Sequence, residues 1–598
     1  MVSNCKFQAK IFSSKLVVFL LSEPLTSNRS IEPAATVVPY DSVAEAPRFD
    51  YELVQLTEDV VERIGKEEAT AEYADLFAFD DGPILQPGEC KTFPGDEGWP
   101  ADAKWDIFNG LLGNALIPTT PVAAPCCPNW GIDDKEKCNA IITNFADPDL
   151  HEPTSNMWPI WQGWTCLPID SPNGSCTLGG YPSYAVNISN VAQLQLAVNF
   201  ARNSNLRLVI KNTGHCYLGK STGAGSLSVW MHNLKNITFL PDYQSFEYSG
   251  KALKAAHQHG VSALGGICES VGFAGGYIAG GGHTPLSGLW GMAADHVMAL
   301  EVVTADGRFV TATNTSNPDL YWALRGGGGS TFGIVTSVII RVHPQIPITT
   351  SVFNFTTSAT FIPFTDAGTY SWFWVYRDAG EYQFIMEPFA PNHTVESFKQ
   401  TLGIPFTPKT THYNAFYPAY DDNWRSEHIG YWDNMQGNRL FPRGNWMDPA
   451  KFNAIFDAIR SYHQAPRNRA NVDNAVSSAF RNVISFLITG HPVPGNATPS
   501  QMREAQQDLV NNVLGPWREV APASEFGGSY LNEAYVMEPN WQEDFYGTQY
   551  PELLRIKHKW DPKGTFYATT AVGSEDCEVP TSEQGVQTQN GRLCRRRS

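Results

Sequence analysis

Two glycine-rich turns carry the residues of this sequence that could do chemistry. The first is Asn212-Thr213-Gly214-His215, which follows the apolar strand pattern over 206–210. It continues to Gly219-Lys220-Ser221, so that Gly214 to Ser221 matches the phosphate-loop spacing G-x-x-x-x-G-K-[ST]. That motif needs a helix immediately afterwards, with its N-terminal amides aimed at phosphate. Here Thr222-Gly223-Ala224-Gly225-Ser226 follows, and then an alternating run over 227–231. Two glycines so close together oppose a helix start. The spacing predicts strand, turn, strand, and no nucleotide-hydrolysing loop.

The second turn region runs Gly265-Gly266-Ile267-Cys268-Glu269-Ser270-Val271-Gly272, then Gly275-Gly276-Tyr277 and Gly280-Gly281-Gly282-His283. Glycine this dense means backbone pressed against something, or turning repeatedly through positive φ. Bare amides in such turns make nests that hold phosphate oxygens without a lysine. With Gly326 to Gly329, three glycine-rich turns at strand ends point to a large dinucleotide; a set of tight turns in a β-rich fold is the plain alternative. No G-x-G-x-x-G follows a strand, so a Rossmann cradle is not expected. An imidazole at His215 and a thiol at Cys268 are nucleophiles suited to covalent work, or else a core histidine and an inert buried thiol.

These residues must be positioned by elements that the periodicity makes visible. Residues 191–203 read as a helix, and 296–304 and 308–313 as strands joined across Ala305-Asp306-Gly307, a hairpin signal. Asn317-Pro318-Asp319 opens a short helix, and 332–342 is a further apolar strand. Beyond Pro344, strands over 350–356 and 476–489 alternate with amphipathic helices over 449–462 and 500–513, a second α+β unit; a short helix is expected over 550–559.

The chain has 598 residues, 42% hydrophobic and 17% charged, with 17 Trp, 23 Tyr and 33 Phe, enough apolar area for several structural units. Its net charge of −18 opposes binding to nucleic acid or an anionic membrane. No run approaches the ~20 apolar residues of a membrane span. Residues 1–24 resemble a secretory signal with a short apolar core at 16–21. Eight Asn-x-Ser/Thr sequons and five cysteines between Cys126 and Cys176 fit export, N-glycosylation and disulfide formation better than a zinc site. Cys166 with Cys176, and Cys126 or Cys127 with Cys138, are natural pairs. Residues 25–98 read as an acidic extension with one amphipathic helix over 53–74, and 99–180 as a Cys/Pro/Trp-rich covering segment. The tail over 576–598 reads as disordered, its Arg592 to Arg597 run being a solvated end.

The order of Gly-His turn, Gly-x-Cys-x-x-Val-Gly, Gly-Gly-Gly and Leu320-Tyr321-Trp322-Ala323-Leu324-Arg325-Gly326-Gly327-Gly328-Gly329 resembles the oxygen-dependent FAD-linked oxidoreductases. These are the berberine bridge enzyme branch of the vanillyl-alcohol oxidase and p-cresol methylhydroxylase superfamily, and the fungal isoamyl alcohol oxidase-like group is similar. Trp99-Pro100 and Leu531-Asn532-Glu533 fit that group. The resemblance covers about 99–572 and is most specific over 181–344.

It implies an α+β fold: an FAD-binding domain in two pieces, 181–345 and 525–575, with a substrate domain over 346–524 inserted as an antiparallel sheet covered by helices. It implies FAD bonded at its 8α-methyl to His215 and at C6 to Cys268. Two electron-withdrawing links raise the flavin potential and favour hydride abstraction. The implied cofactor-binding set is His215, Cys268, Gly214, Gly219, Ser221, Gly272, Gly275, Gly276, Gly280, Gly281, Gly282 and Asn532. Val271 stands at the family's gate to oxygen, a small residue of the oxidase type, or ordinary packing. Tyr530, in Tyr530-Leu531-Asn532, is the candidate active-site hydroxyl, as a base or a hydrogen-bond donor, or an edge-strand aromatic. Tyr277 is a candidate for lining the flavin face. Cys216 departs from the family, where Asp or Ser is usual; it is either a packed thiol or a competitor for the flavin.

The implied reaction removes hydride from a small organic substrate, a secondary-metabolite alcohol or ring precursor, and returns the electrons to O2 as H2O2. A carbohydrate oxidase or dehydrogenase on the same scaffold is the alternative. A secreted binding protein with a relict flavin site is the alternative of another class. Oligomeric state is left open.

Overall fold

The computed structural model describes residues 31–597 except 40–46, 80–81, 152, 169–174, 241–243, 246–248, 356–364, 379–380, 403–407, 425–428, 431–433, 452–471, 495–496 and 581–585. The apolar leader and most of the helix expected over 449–462 lie outside the described residues.

The helix Val191–Asn203 forms where its pattern predicts. Asn190 caps it by accepting a hydrogen bond from Gln193 N at 3.0 Å, and nearly every side chain along it is buried. It connects the parallel strands Tyr184–Asn187 and Arg207–Lys211, which flank Ser226–Trp230. Leu116–Pro118 closes that sheet as an antiparallel edge. A second, wholly antiparallel sheet has the order Phe309–Ala312, Val297–Val303, Ile334–Ile340, Gln244–Ser245, Thr238–Phe239. Its expected hairpin turns at Gly307, where φ is +81° and a Cβ would collide with Asn199.

The segment between these sheets and the C-terminal part is also α+β. Its antiparallel sheet runs Tyr370–Asp378, Glu381–Pro391, then Ile348–Ser351 with Phe353–Phe355, and Thr410–Tyr413. The strand expected over 350–356 is thus broken at Val352, which is exposed. The strand expected over 476–489 begins later: the helix Ser478–Asn482 precedes Val483–Pro492, which pairs along Asn434–Pro442. The helix expected over 500–513 is α-helical over Pro499–Asp508 and widens to a π-turn at Leu509–Val513. Tyr550–Trp560 is helical as expected.

Two terminal expectations are corrected. The acidic extension has no single helix over 53–74. Thr57 accepts from Val60 N and starts a separate helix, Glu58–Lys66, while Val54–Gln55 pairs with Thr36–Val37. Nor is it a surface appendage: Leu56, Val60, Ile64 and Phe77 share a core with Leu194, Val198 and Phe200 of the helix Val191–Asn203. The C-terminal tail is ordered in its described part. Cys577–Glu578 pairs with Cys594–Arg595, and Cys594 is disulfide-bonded to Cys90. Two further disulfides among the described residues are Cys126–Cys138 and Cys166–Cys176. Cys127 lies beside the second of these, but its neighbouring sulfurs are already bonded to each other, so the trio is no metal site.

Candidate active site

The strand Arg207–Lys211 ends in the turn that presents His215. Gly214 has φ +89°, and a Cβ there would stand 3.0 Å from the Ser155 carbonyl oxygen, so only glycine admits the covering segment this closely. That segment pins the turn from outside: Met157 N donates to the Gly214 carbonyl at 3.2 Å, Trp158 Nε1 to the His215 carbonyl at 3.4 Å, and Asn156 Nδ2 to Ser221 Oγ at 2.8 Å. After Ser221 the chain turns into the strand Ser226–Trp230, so no helix aims amides at a phosphate here.

The Cys268 turn packs against the first one. A Cβ at Gly272 would collide with the Asn212 side chain, and one at Gly275 would lie 3.1 Å from Asn212 Nδ2. His215 Nε2 is 2.8 Å from Ser270 Oγ. Burial, with His151 and Lys211 adding to it, holds the His215 pKa down at about 3, so the imidazole is neutral at physiological pH.

The C-terminal segment completes the site. Asn532 Nδ2 donates to the Gly276 carbonyl and to Tyr530 Oη, both at 2.8 Å. Tyr530 is buried edge-on to His283, Phe480 and Phe486. That burial pushes its hydroxyl well above the ordinary phenol range, which removes it as a proton acceptor that works by first ionising. Its oxygen accepts from Asn532 Nδ2, leaving the hydroxyl hydrogen to be donated. His283 Nε2 lies 3.0 Å from Glu533 Oε1. Tyr277 Oη donates within reach of the Leu264 and His283 carbonyls, which anchors it in the wall.

His215, Cys216, Ser221, Cys268, Val271, Gly272, Gly275, Gly276, Tyr530 and Asn532, together with Gly214 and Tyr277, line one cleft holding about 1420 Å³ of empty space, open mouth included. Four expected residues are not in its wall. Gly219 packs flat on the Trp161 ring, Gly280 makes room for Asn532, Gly281 lies against Met292 and Val476, and Gly282 against Tyr277 and Ala293. Their glycines serve packing around the cleft. Among the lining residues to which sequence reasoning gave no role are three that can carry charge: Lys220, His283 and Glu533. The last two fall inside quoted motifs, but their pairing spans 250 residues.

The cleft fits FAD. Glycine backbone at Gly275, Gly276, Gly328 and Gly329 gives it flat walls, and a Cβ at Gly276 would meet nothing within 4 Å. The Lys220 ammonium is buried in the wall without a hydrogen-bond partner, which suits an anionic ligand.

Comparison with known proteins agrees. The family described as "FAD binding domain" matches residues 182–313, and "Berberine and berberine like" matches 529–573. The VAO-type flavoprotein oxidase VAO615 of Thermothelomyces thermophilus is 34% identical over 567 residues, covering 85% of this chain and 95% of that protein. The bifunctional decalin synthase calF of Penicillium decumbens is 33% identical over 568 residues, covering 85% and 96%. The crystal structure of MtVAO615 from Myceliophthora thermophila C1 superposes with a TM-score of 0.77 at 31% identity, over 85% of this chain and all of that one. This chain therefore belongs to the VAO-type family of FAD-linked oxidoreductases.

Proposed function

We propose that this enzyme is an exported oxidase that holds FAD covalently through His215 and Cys268 and removes hydride from a secondary-metabolite alcohol or ring precursor. The observation that carries the reading is that one glycine-walled cleft is lined by both nucleophiles, by Tyr530 and by the Glu533–His283 pair. Bound flavin would supply hydride acceptance from a C–H bond and electron transfer to O2, yielding hydrogen peroxide. Tyr530 orients the substrate oxygen by donating its hydroxyl hydrogen. Glu533, held by His283 Nε2 at 3.0 Å, takes the proton that the substrate sheds as hydride leaves its carbon. Val271 leaves room for oxygen beside Cys268. The unit that binds FAD comprises 181–345 and 525–575, supported by the Leu208–Phe566 bridge and by Lys557 Nζ donating to the Thr331 carbonyl at 2.8 Å; residues 346–524 cover the substrate side, and Ile429 reaches the cleft. Three disulfides and exposed sequon asparagines at Asn236, Asn314 and Asn392 support export with glycosylation. No helix among the described residues is long and apolar enough to cross a membrane.

Acid-precipitated protein should stay yellow, and peptide mass spectrometry should find flavin on His215 and on Cys268. Cys268→Ala should leave one link and Cys216→Ala both; flavin on Cys216 would reassign the second link. Oxygen uptake across alcohols, polyketide-like rings and oligosaccharides identifies the substrate class. Purified protein that binds no FAD would sink the reading.

A further inference from the structure

We infer that Ser270 is a positioning residue for cofactor attachment: its hydroxyl engages His215 Nε2 and so leaves Nδ1 as the nucleophile. The inference rests on the attachment at His215 proposed above. A neutral imidazole carries one N–H and one nitrogen with a free in-plane lone pair, and which is which follows from the partners present. At His215 the partners differ sharply. Nε2 stands 2.8 Å from Ser270 Oγ, and among the described residues none is hydrogen-bonded to Nδ1. The hydroxyl can accept from Nε2–H or donate to a bare Nε2, so Nε2 is occupied in both tautomers; the one that reacts has Nε2–H donated to the hydroxyl oxygen and its lone pair on Nδ1. His215 is neutral because it is buried, so no proton has to leave before that lone pair can react.

Ser270 also fixes where the ring points. The His215 backbone is held from one side by Trp158 and by Met157 through Gly214. The ring is held from the other side by Ser270, whose own turn is closed by Val271 N donating to the Cys268 carbonyl at 3.4 Å. The same short turn thus carries the thiol for one link and the hydroxyl that aims the other.

In the attachment step one C–H bond of the 8α-methyl group breaks and the Nδ1–C bond forms. The methyl proton and the Nε2 proton, with the electron pair of the broken bond, leave the isoalloxazine reduced by two electrons, and O2 takes both protons and electrons back as hydrogen peroxide. Ser270 reverses its role across this step. Its oxygen accepts from Nε2–H beforehand, and its O–H donates to the bare Nε2 afterwards. A hydroxyl can do both, and a methyl group neither.

The test uses the full chain in a Cys268→Ala background, so that all covalent flavin reports on His215. Apoprotein of Ser270, Ser270→Ala and Ser270→Thr is mixed with FAD and sampled over time. Non-covalent binding is read by flavin fluorescence, attachment by flavin retained after acid precipitation and by the mass of the His215 peptide. Ser270→Ala should bind FAD yet attach it about tenfold more slowly, the scale of one lost orienting hydrogen bond, and Ser270→Thr should restore the rate. Attachment by Ser270→Ala at the parent rate would overturn the inference while leaving the link itself intact. A parent protein that binds FAD but adds no mass at His215 would overturn the covalent reading and this inference with it. Independently of any variant, NMR of the flavin peptide from wild-type protein should show substitution at Nδ1; substitution at Nε2 would overturn the role assigned to Ser270.

Discussion

At the scale of single residues, Gly276 makes the clearest case for what the cleft is built to hold. Its carbonyl is fixed by Asn532, and the space where its side chain would stand is empty to 4 Å, whereas Gly272 and Gly280 are hemmed in by asparagines. A Gly276→Leu side chain would therefore meet no protein atom at its Cβ and would project into the cofactor's space. The expected outcome is a folded, colourless protein: Tm within roughly 2–4 °C of wild-type apoprotein, with FAD binding lost by fluorescence titration. Retention of stoichiometric FAD by this variant would show that the ligand does not lie along this wall. The same substitution at Gly272 should instead damage folding, since it strikes Asn212 in the turn beside His215.

At the scale of elements, what could be read in the sequence was whatever is encoded locally. The helix Val191–Asn203 carries its own cap, and the hairpin at Gly307 its own turn residue, so both lie where their patterns put them. His215 and Cys268 were legible for the same reason, being embedded in glycine turns of distinctive order. The Glu533–His283 pair and the Ser270 contact were not, because each joins segments far apart in the chain. The amino-terminal strap failed to be legible in the same way. Its acidic residues read as a solvated face, but Glu52 is buried and accepts from Thr336 Oγ1 at 2.6 Å, and Arg48 lies 3.4 Å from Glu301 in the second sheet. Burial raises the Glu301 pKa to about 7, Arg48 opposing and Glu52 assisting, with Thr311 donating to both carboxylate oxygens. A pKa above the unfolded value means the fold holds a proton that the unfolded chain has shed. Stability from this site is complete below about pH 4.5 and is lost as pH rises through about 7. Glu301→Gln keeps an acceptor for Thr311 without the titration. Thermal melts between pH 5 and 8.5 should therefore fall less steeply for the variant, by roughly 2–4 °C across the range; parallel curves would show that Glu301 is ionised throughout.

At the scale of the whole molecule, the C-terminal tail is stitched to the segment from Cys90 to Asp96. Cys594 is bonded to Cys90, Lys91 N donates to the Leu593 carbonyl at 2.8 Å, and Arg592 makes a paired contact with Asp96. Just before this, Gln589 N donates to the Trp161 carbonyl at 2.9 Å and its own carbonyl accepts from Ala224 N at 3.1 Å. The tail thereby ties the covering segment to the turn that follows Ser221. Few of its residues are apolar, so hydrophobic burial alone would hold it weakly, and the covalent bond is what keeps the backbone pairing in place. Replacing both partners, Cys90→Ser with Cys594→Ser, should cost about 2–4 kcal/mol and lower Tm by several degrees. Trypsin should then cut at Arg592, Arg595 and Arg596 in the native-state protein, at sites protected in wild type. Because the bond lies away from the cleft, His215-linked flavin should be unchanged in amount. If the variant melted as wild type does and its tail stayed protected, the ion pair and backbone bonds would suffice to close the molecule; if instead flavin attachment failed, the tail would be acting through Gln589 and Trp161 on the turn that presents His215.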